Sequence, residues 1–568
     1  MKHYKNYPVE KYDDLKQLYH TAAEKYNEKT LIRQKQNGEL HHFSYHQYCT
    51  DVDALGTELL ARGMKNKRII ILGENCYHWV TAFMAVTCGV GIVVPLDKDL
   101  PEAEIANLSK TAEASLVLYS SAYEKRLSML DPSIVRICFD EFPTLIAAGN
   151  ERIIAGDRDF LDAKIDATAM SLLLFTARTT GTFKGVMLSH RNICFMLSEL
   201  CQMIYVNEND RFLSLLPLNH MYECVCGFLC PLSRGADVTF CNALHHMSRD
   251  MRDVRPTVML CVPLLMETMY KKVWNTIRKN ALEKRVKTLI NMTNSIPSEK
   301  VRLITKKKIF AKILQNFGGE MRMMLSCGAA INPDVLKGLR DFGIAAYQGY
   351  TLTECAPLAA INRDTCYNDA SAGMATPNTL LDVYDVQDDG VGEIRIKGEN
   401  VTMGYYNMPE LNAKVFRNGW FYTGDLGYID NDGFLFITGR KKNVITSSSG
   451  KFIFPEELEA HLDRNAFIKE SIVVGYANTQ KKDYDIVAII HPDYKQIEEL
   501  YGKNFSGSQL DLELQKAVSE VNSALPSYKR IAYYVIRNTE FPKNSSRKIK
   551  RIGLADEAFE DYKKQIEN

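Results

Sequence analysis

The stretch 172–190, LLLFTARTTGTFKGVMLSH, passes from an apolar run into a cluster of hydroxyl side chains and then meets Lys184-Gly185. Successive backbone N–H groups in such a turn form an anion-holding concavity, and threonine hydroxyls at Thr176, Thr179 and Thr180, beside Gly181, add donors. Lys184 can set one positive charge against polyphosphate oxygens. The loop is not of the GTPase or mononucleotide-kinase type, because that pattern needs Gly-Lys followed directly by Ser or Thr, and here Gly185 follows the lysine. Taken alone, the same residues would also make an ordinary surface turn. Metal chemistry finds less support. Fourteen cysteines are scattered singly, no CxxC pair occurs, and the only tight pair is Cys224-Val225-Cys226. Buried free thiols in a reducing cytosol account for such a distribution, and zinc ligation is not expected without paired spacing.

The elements that must carry this loop follow from pattern. A chain of 568 residues exceeds what one core can organise, so two or more domains are expected. Strand-like runs (KTLIRQ, RIIILGEN, ASLVLYS, IVRICF, RFLSLLPL, VTFC) alternate with helical spacing in SYHQYCTDVDALGTELLARG, ending on Gly63, and in VPLLMETMYKKVWNTIRKN. Repeated β-α units predict an α/β fold of mostly parallel sheets covered by helices. From about Val383 the texture becomes short strands separated by the turn pairs Asn418-Gly419 and Asp432-Gly433, which predicts a small β-structure. A fresh α/β pattern begins after the polar RKKNVITSSSGK. The expected organisation is a large N-terminal domain, 1–439, of two mostly parallel sheet subdomains plus the small β-structure. A small mobile α+β domain, 440–568, would follow, with the boundary near 439–442.

Lys+Arg and Asp+Glu nearly cancel, leaving a net charge of +1, so nothing suggests nucleic-acid binding. The N-terminus has no apolar signal region. The apolar run Trp79 to Leu96 approaches membrane-spanning length, yet Gly89 and Gly91 divide it. It reads as a buried helix, a glycine turn and a buried strand. The chain is therefore expected in the cytoplasm.

The loop FTARTTGTFKGVMLSH resembles the phosphate loop of the adenylate-forming superfamily of acyl-CoA synthetases, peptide-synthetase adenylation domains and luciferases. Their usual form is Thr-Ser-Gly-Thr-Thr-Gly-x-Pro-Lys-Gly. Further stretches follow in that family's order: LPLNHMYE from Leu216, YQGYTLTECAP from Tyr347, WFYTGDLGYID from Trp420, GFLFITGRKKNVITSSSGKFIFPEELE from Gly433 and FPKNSSRKIKR from Phe541. LPLNHMYE, RPTVML and GRKKNVITSSSGK look most like long-chain fatty acid–CoA ligases.

The resemblance implies a two-step ligase using ATP, Mg²⁺ and coenzyme A. A fatty carboxylate attacks the α-phosphorus of ATP, and the thiol of coenzyme A then takes the acyl group and expels AMP. Bringing two anions together needs cations and oriented N–H groups. By resemblance, Thr179, Thr180, Gly181 and Lys184 hold the β- and γ-phosphates, Thr353 touches the α-phosphate, and Glu354 holds Mg²⁺. Tyr350 stacks on adenine, while Gly328 and Ala329, with Ala330, form a turn beside the adenine and acyl groups. Asp425 accepts from both ribose hydroxyls, Arg440 makes a second ribose contact, and Lys548 reaches into the adenylation site. His220 stands at the gate between acyl pocket and pantetheine arm. The hinge between domains falls at Lys441 or Lys442, with Lys441 favoured. The acyl pocket is expected around 220–232 and 327–357.

Ala177, Arg178 and Phe183 stand where the family form has Ser, Gly and Pro. If that glycine has a positive φ, an arginine there costs on the order of 1 kcal/mol, although its guanidinium can also pair with phosphate. Arg547 likewise stands where many members have Gly. Three other functions stay open at this point: an impaired paralogue, acyl transfer to the phosphopantetheine of a separate carrier protein, and a nucleotide-sensing protein without catalysis. Chain length of the acid and oligomeric state are not read from the sequence. Long acids partition into membranes, which points to peripheral association, but no anchor segment is visible.

Overall fold

The computed structural model describes residues 5–36, 39–177, 183–241, 246–447, 452–478, 483–543, 549–551, 553–554 and 559. Among these, two large sheets carry the bulk of the chain. In the seven-stranded sheet the order is Gly404–Tyr405, Phe183–Ser189, Met170–Ala177, Gly91–Pro95, Lys67–Leu72, Leu116–Tyr119 and Val135–Cys138. Its five strands from Met170–Ala177 onward run parallel, whereas Phe183–Ser189 turns back antiparallel against Met170–Ala177. The nine-stranded sheet is parallel across Ala345–Thr351, Met323–Cys327, Val258–Cys261, Arg211–Ser214, Asp237–Phe240 and Thr30–Gln36, with antiparallel strands only at its edges. Runs such as KRIIIL are buried on both faces, as parallel sheets sandwiched between helices require.

The helical pattern 44–63 forms Tyr45–Ala61. Its first turn is capped by Ser44, which accepts from the Gln47 N–H, and Gly63 follows the end at φ 78°. Both are ordinary start and stop signals. The run RFLSLLPL is a strand only over Arg211–Ser214; the rest bends away as loop. The apolar stretch 79–96 is a helix (Tyr77–Ala85), a π-turn (Val86–Val90) and the strand Gly91–Pro95. No helix among the described residues is long and apolar enough to cross a membrane.

A five-stranded antiparallel sheet follows, with Leu380–Tyr384, Gly392–Lys397, Phe416–Arg417, Trp420–Ile429 and Leu435–Arg440. Asn418 and Gly419 both take positive φ, 54° and 75°, between the paired residues Arg417 and Trp420, which is the two-residue hairpin their types specify. Beyond it, Ile468–Asn478, Asp483–Pro492 and Tyr533–Ile536 form a three-stranded sheet with the helices Pro455–Leu462 and Gly507–Ala524. This smaller α+β unit has its own apolar core, from Ile445 to Ile531.

All fourteen cysteines are free, eleven of them buried. Cys49 approaches His20 Nδ1 at 3.4 Å, and Asp53 lies 3.4 Å from His20 Nε2 while accepting from the Tyr19 hydroxyl at 2.6 Å. Both imidazole nitrogens are thus engaged by protein groups, and the cluster is a satisfied polar contact between two packed helices.

Candidate active site

The hydroxyl-rich loop is flanked by paired strands, with Thr176 opposite Lys184 and Ala177 opposite Phe183. Arg178, Thr179, Thr180 and Gly181 lie outside the described residues, as does Lys548. Lys184 extends over the ring of Tyr405, 4.6 Å from its centroid and 3.5 Å from its hydroxyl oxygen. That hydroxyl donates to Glu354 Oε1 at 2.7 Å. Tyr405 reaches this place because Gly404–Tyr405 pairs with Val186 and Met187 at the sheet edge. Sequence reasoning missed Tyr405, and the only signal for it was a tyrosine pair in MGYYNMPE.

Thr353 and Glu354 sit in a short 3₁₀ turn directly after the strand Ala345–Thr351. The Glu354 carbonyl accepts from the Thr402 N–H at 2.8 Å, which fixes the turn. The second carboxylate oxygen of Glu354 has no protein donor among the described residues. One half-buried carboxylate with a free oxygen fits Mg²⁺, which takes one or two protein oxygens and completes its shell with water and phosphate. Gly328 ends the neighbouring strand Met323–Cys327 at φ 96°, a conformation that favours glycine, and Ala329 and Ala330 beyond it are exposed.

Tyr350 and Asp425 come together. The buried Tyr350 hydroxyl donates to Asp425 Oδ2 at 2.5 Å, and Arg440 Nε donates to Asp425 Oδ1 at 2.9 Å. Asp425 and Arg440 face each other in register across the strands Trp420–Ile429 and Leu435–Arg440. Both carboxylate oxygens therefore hold one donor each and keep lone pairs for a further one, a geometry suited to a vicinal diol. Burial and the Asp425 charge push the Tyr350 hydroxyl well above its ordinary pKa, so it remains a donor. The sequence had assigned Tyr350 to a base and Asp425 to a sugar; their mutual bond was not visible there.

Lys441 is tied to the larger unit twice. Its N–H donates to the Gly424 carbonyl at 2.9 Å, and its ammonium pairs with Glu393 at 2.9 Å. Lys442, the first residue past these ties, is exposed but within electrostatic reach of Arg440, Asp425 and Lys184. Partial burial, then the charge of Arg440, and further Lys184 push its amine down to about 8, against the opposing pull of Asp425 and Glu456. Arg440 and Lys184 thus lie close enough to act on Lys442, beside the carboxylate of Asp425.

His220 stands half-buried at the end of the strand-loop segment LPLNH, its N–H bonded to the Pro217 carbonyl at 3.1 Å. Asn75 fixes this segment from the other sheet. Its amide donates to Ser214 Oγ (3.1 Å) and the Leu216 carbonyl (2.7 Å), and it accepts from the Leu218 N–H (3.0 Å). Beneath it lies Glu223, fully buried in the π-turn Tyr222–Leu229. Burial pushes its carboxyl up to about 8, against the Ser214 hydroxyl and the Leu216 amide, so it is neutral at pH 7.

The profile of the AMP-binding enzyme family matches residues 19–406, and that of the AMP-binding enzyme C-terminal domain matches 442–568. The human "Long-chain-fatty-acid--CoA ligase 1" is 27% identical over 84% of this chain and 74% of its own length. "Fatty acyl-CoA synthetase A" of Dictyostelium discoideum is 28% identical over 84% of this chain and 75% of its own. Among solved structures, o-succinylbenzoate coenzyme A synthetase from Bacillus subtilis in complex with ATP and magnesium ion superposes with a TM-score of 0.71 at 21% identity, covering 95% of this chain and 99% of that one. A Mycobacterium tuberculosis fatty acyl CoA synthetase gives 0.66 at 20% identity, covering 96% and 98%. With two successive family profiles accounting for most of its length and the matching α/β architecture, the chain belongs to the AMP-binding enzyme family of adenylate-forming proteins.

Proposed function

We propose that this protein is an acid–thiol ligase that activates a long-chain fatty acid with ATP and transfers it to coenzyme A. A carboxylate oxygen bonds to the α-phosphorus of ATP, the bond to the β-phosphate oxygen breaks, and pyrophosphate leaves. The thiol sulfur then bonds to the acyl carbon, losing its proton to solvent, and AMP leaves with the electron pair of the broken C–O bond. Asp425, held by Tyr350 and Arg440, would orient the ribose so that the α-phosphate faces Thr353. Lys184 and Lys442 would lower the repulsion between carboxylate and triphosphate. Mg²⁺ on Glu354 would supply further neutralisation of phosphate charge. Lys548 would arrive from the smaller domain for the first step, and rotation at the 441–442 linker would remove it for the second. Because Lys441 keeps a backbone bond and an ion pair to the larger unit, this reading moves the pivot to Lys442.

The observation that carries the proposal is the joined Tyr350–Asp425–Arg440 set beside the Lys184–Tyr405–Glu354 line. It offers a diol acceptor, a magnesium oxygen and phosphate cations within one site. The long-chain assignment is supported by the names of curated relatives, including those above. Purified protein given ATP, Mg²⁺, coenzyme A and palmitate should release AMP and pyrophosphate in equal amounts. An acyl panel from acetate to oleate, with aryl acids included, should peak at long chains. A peak at acetate or benzoate would overturn the chain-length assignment, and no AMP with any acid would overturn the ligase.

A further inference from the structure

The helix Glu299–Ile309, sequence EKVRLITKKKI, is built inside out. Its only buried residue is a lysine, Lys306, whose ammonium donates to the Arg340 carbonyl at 2.9 Å. Its aliphatic side chains face solvent instead: Val301, Leu303, Ile304 and Ile309 are 52%, 44%, 49% and 41% exposed. On an ordinary surface helix the apolar stripe faces the core. Ile304 lies near the middle of the outward face. Val301 is three residues before it, Lys307 three after, and Lys300 and Lys308 four to either side, so apolar and cationic side chains interleave on one surface. No carboxylate pairs with Lys300, Lys307 or Lys308 among the described residues. The preceding helix, Glu283–Asn294, packs against this one and leaves Met292 62% exposed. From Leu282 to Lys312 there are nine basic residues and two acidic ones, in a chain whose net charge is only +1.

We infer that this helix lies on the surface of an anionic phospholipid bilayer. The combination of side chains selects that occupant. A second copy of this chain would bring a like-charged face against it, and a nucleic acid would have no use for the exposed aliphatics Val301 and Ile304 on that face. A bilayer interface uses both groups: aliphatics enter the headgroup–acyl boundary, and lysines meet lipid phosphates. The helix stands on the layer that covers the nine-stranded sheet, and that sheet carries Gly328, Tyr350 and Thr353 at its strand ends. The docking itself is independent of the substrate; its use, drawing a membrane-dissolved acid toward the site, rests on the long-chain reading above.

The test is flotation of the full chain with phosphatidylcholine vesicles, with and without phosphatidylglycerol, at low and high salt. Recovery with anionic vesicles should exceed that with neutral vesicles at least tenfold and fall with salt. The double variants Val301→Ser/Ile304→Ser and Lys300→Glu/Lys308→Glu should each lose most of the binding, while their thermal melting stays at the parent value because the altered positions are exposed. Equal recovery with and without vesicles overturns the inference, as does retention of binding by both variants, or binding that ignores lipid charge. AMP release from a water-soluble acid without vesicles is measured in parallel. Its loss would count against the ligase and leave the docking result intact.

Discussion

The ribose end and the phosphate end of the candidate site hold charge in opposite ways. At the ribose end every charge is already answered: Asp425 accepts from Tyr350 and from Arg440, and the strand register holds the pair together. At the phosphate end, Lys184 lies over the Tyr405 ring, whose hydroxyl donates to Glu354, and the Lys442 amine is held down to about 8 by burial and by Arg440. One end is preorganised, so a ligand adds bonds without rearrangement. The other holds a lysine whose charged form a bound polyanion would favour. Binding energy and pH response should therefore separate between the two ends.

The largest effect should come from Asp425→Ala. Removing this carboxylate strands a buried phenol and a guanidinium and deletes the diol acceptor. A loss of about 10²–10³-fold in kcat/KM for ATP is expected from one such group, read by AMP release; a change under threefold would break the contrast. Lys184→Ala should cost less, about 10-fold to 10²-fold, because neighbouring cations share its task. A double-mutant cycle with Lys442→Ala should show non-additivity if the two act on the same phosphates.

Lys442 sharpens the comparison through pH. With its amine near 8 in the free protein, ATP must draw a proton onto it above that pH. ATP binding should then weaken as pH rises from about 8 toward 10, by up to about tenfold per unit. Lys442→Arg, which keeps its charge, should flatten the profile, whereas Asp425→Asn should leave its slope in place. A wild-type KM for ATP independent of pH over that range would count against the assignment.

The gate offers the smallest effect on turnover and a distinct one on stability. Glu223 has its carboxyl raised from 4.5 to about 8. The folded state thus holds a proton that the unfolded state releases. The resulting stability is fully present below about pH 4.5 and is lost as pH rises through about 8. Glu223→Gln should remove this part of the decline, on the order of 1–3 kcal/mol between pH 5 and 8, measured by urea midpoints at both pH values. Identical slopes in the two proteins would show that Glu223 is solvated or paired.

Local pattern made much of the frame legible. The β-branched runs, the Ser44 start and Gly63 stop, the Asn418-Gly419 hairpin and the divided stretch 79–96 all formed the elements their spacing implied. Strand ends were less so, since RFLSLLPL keeps strand form only through Ser214; beyond it, side-chain bonds from Asn75 win over β-propensity. Motif order also brought Asp425, Tyr350, Glu354 and Arg440 into consideration, because chemistry that needs an acceptor or a magnesium oxygen leaves a recognisable residue type. Tyr405 and Lys442 left no such mark. The first is a tyrosine 221 positions from the lysine it meets, and the second is one of several adjacent cations.

By itself, the amino-acid order determined the α/β architecture and offered candidates for phosphate, ribose and metal contacts. The architecture is written in short-range periodicity, and the candidates follow from motifs whose order resembles that of a known family. Tertiary structure alone decided which of those groups touch, and that Glu299–Ile309 shows aliphatics to solvent. Periodicity says which residues share a helix face but not which way that face turns, because direction is set by packing against segments distant in the chain.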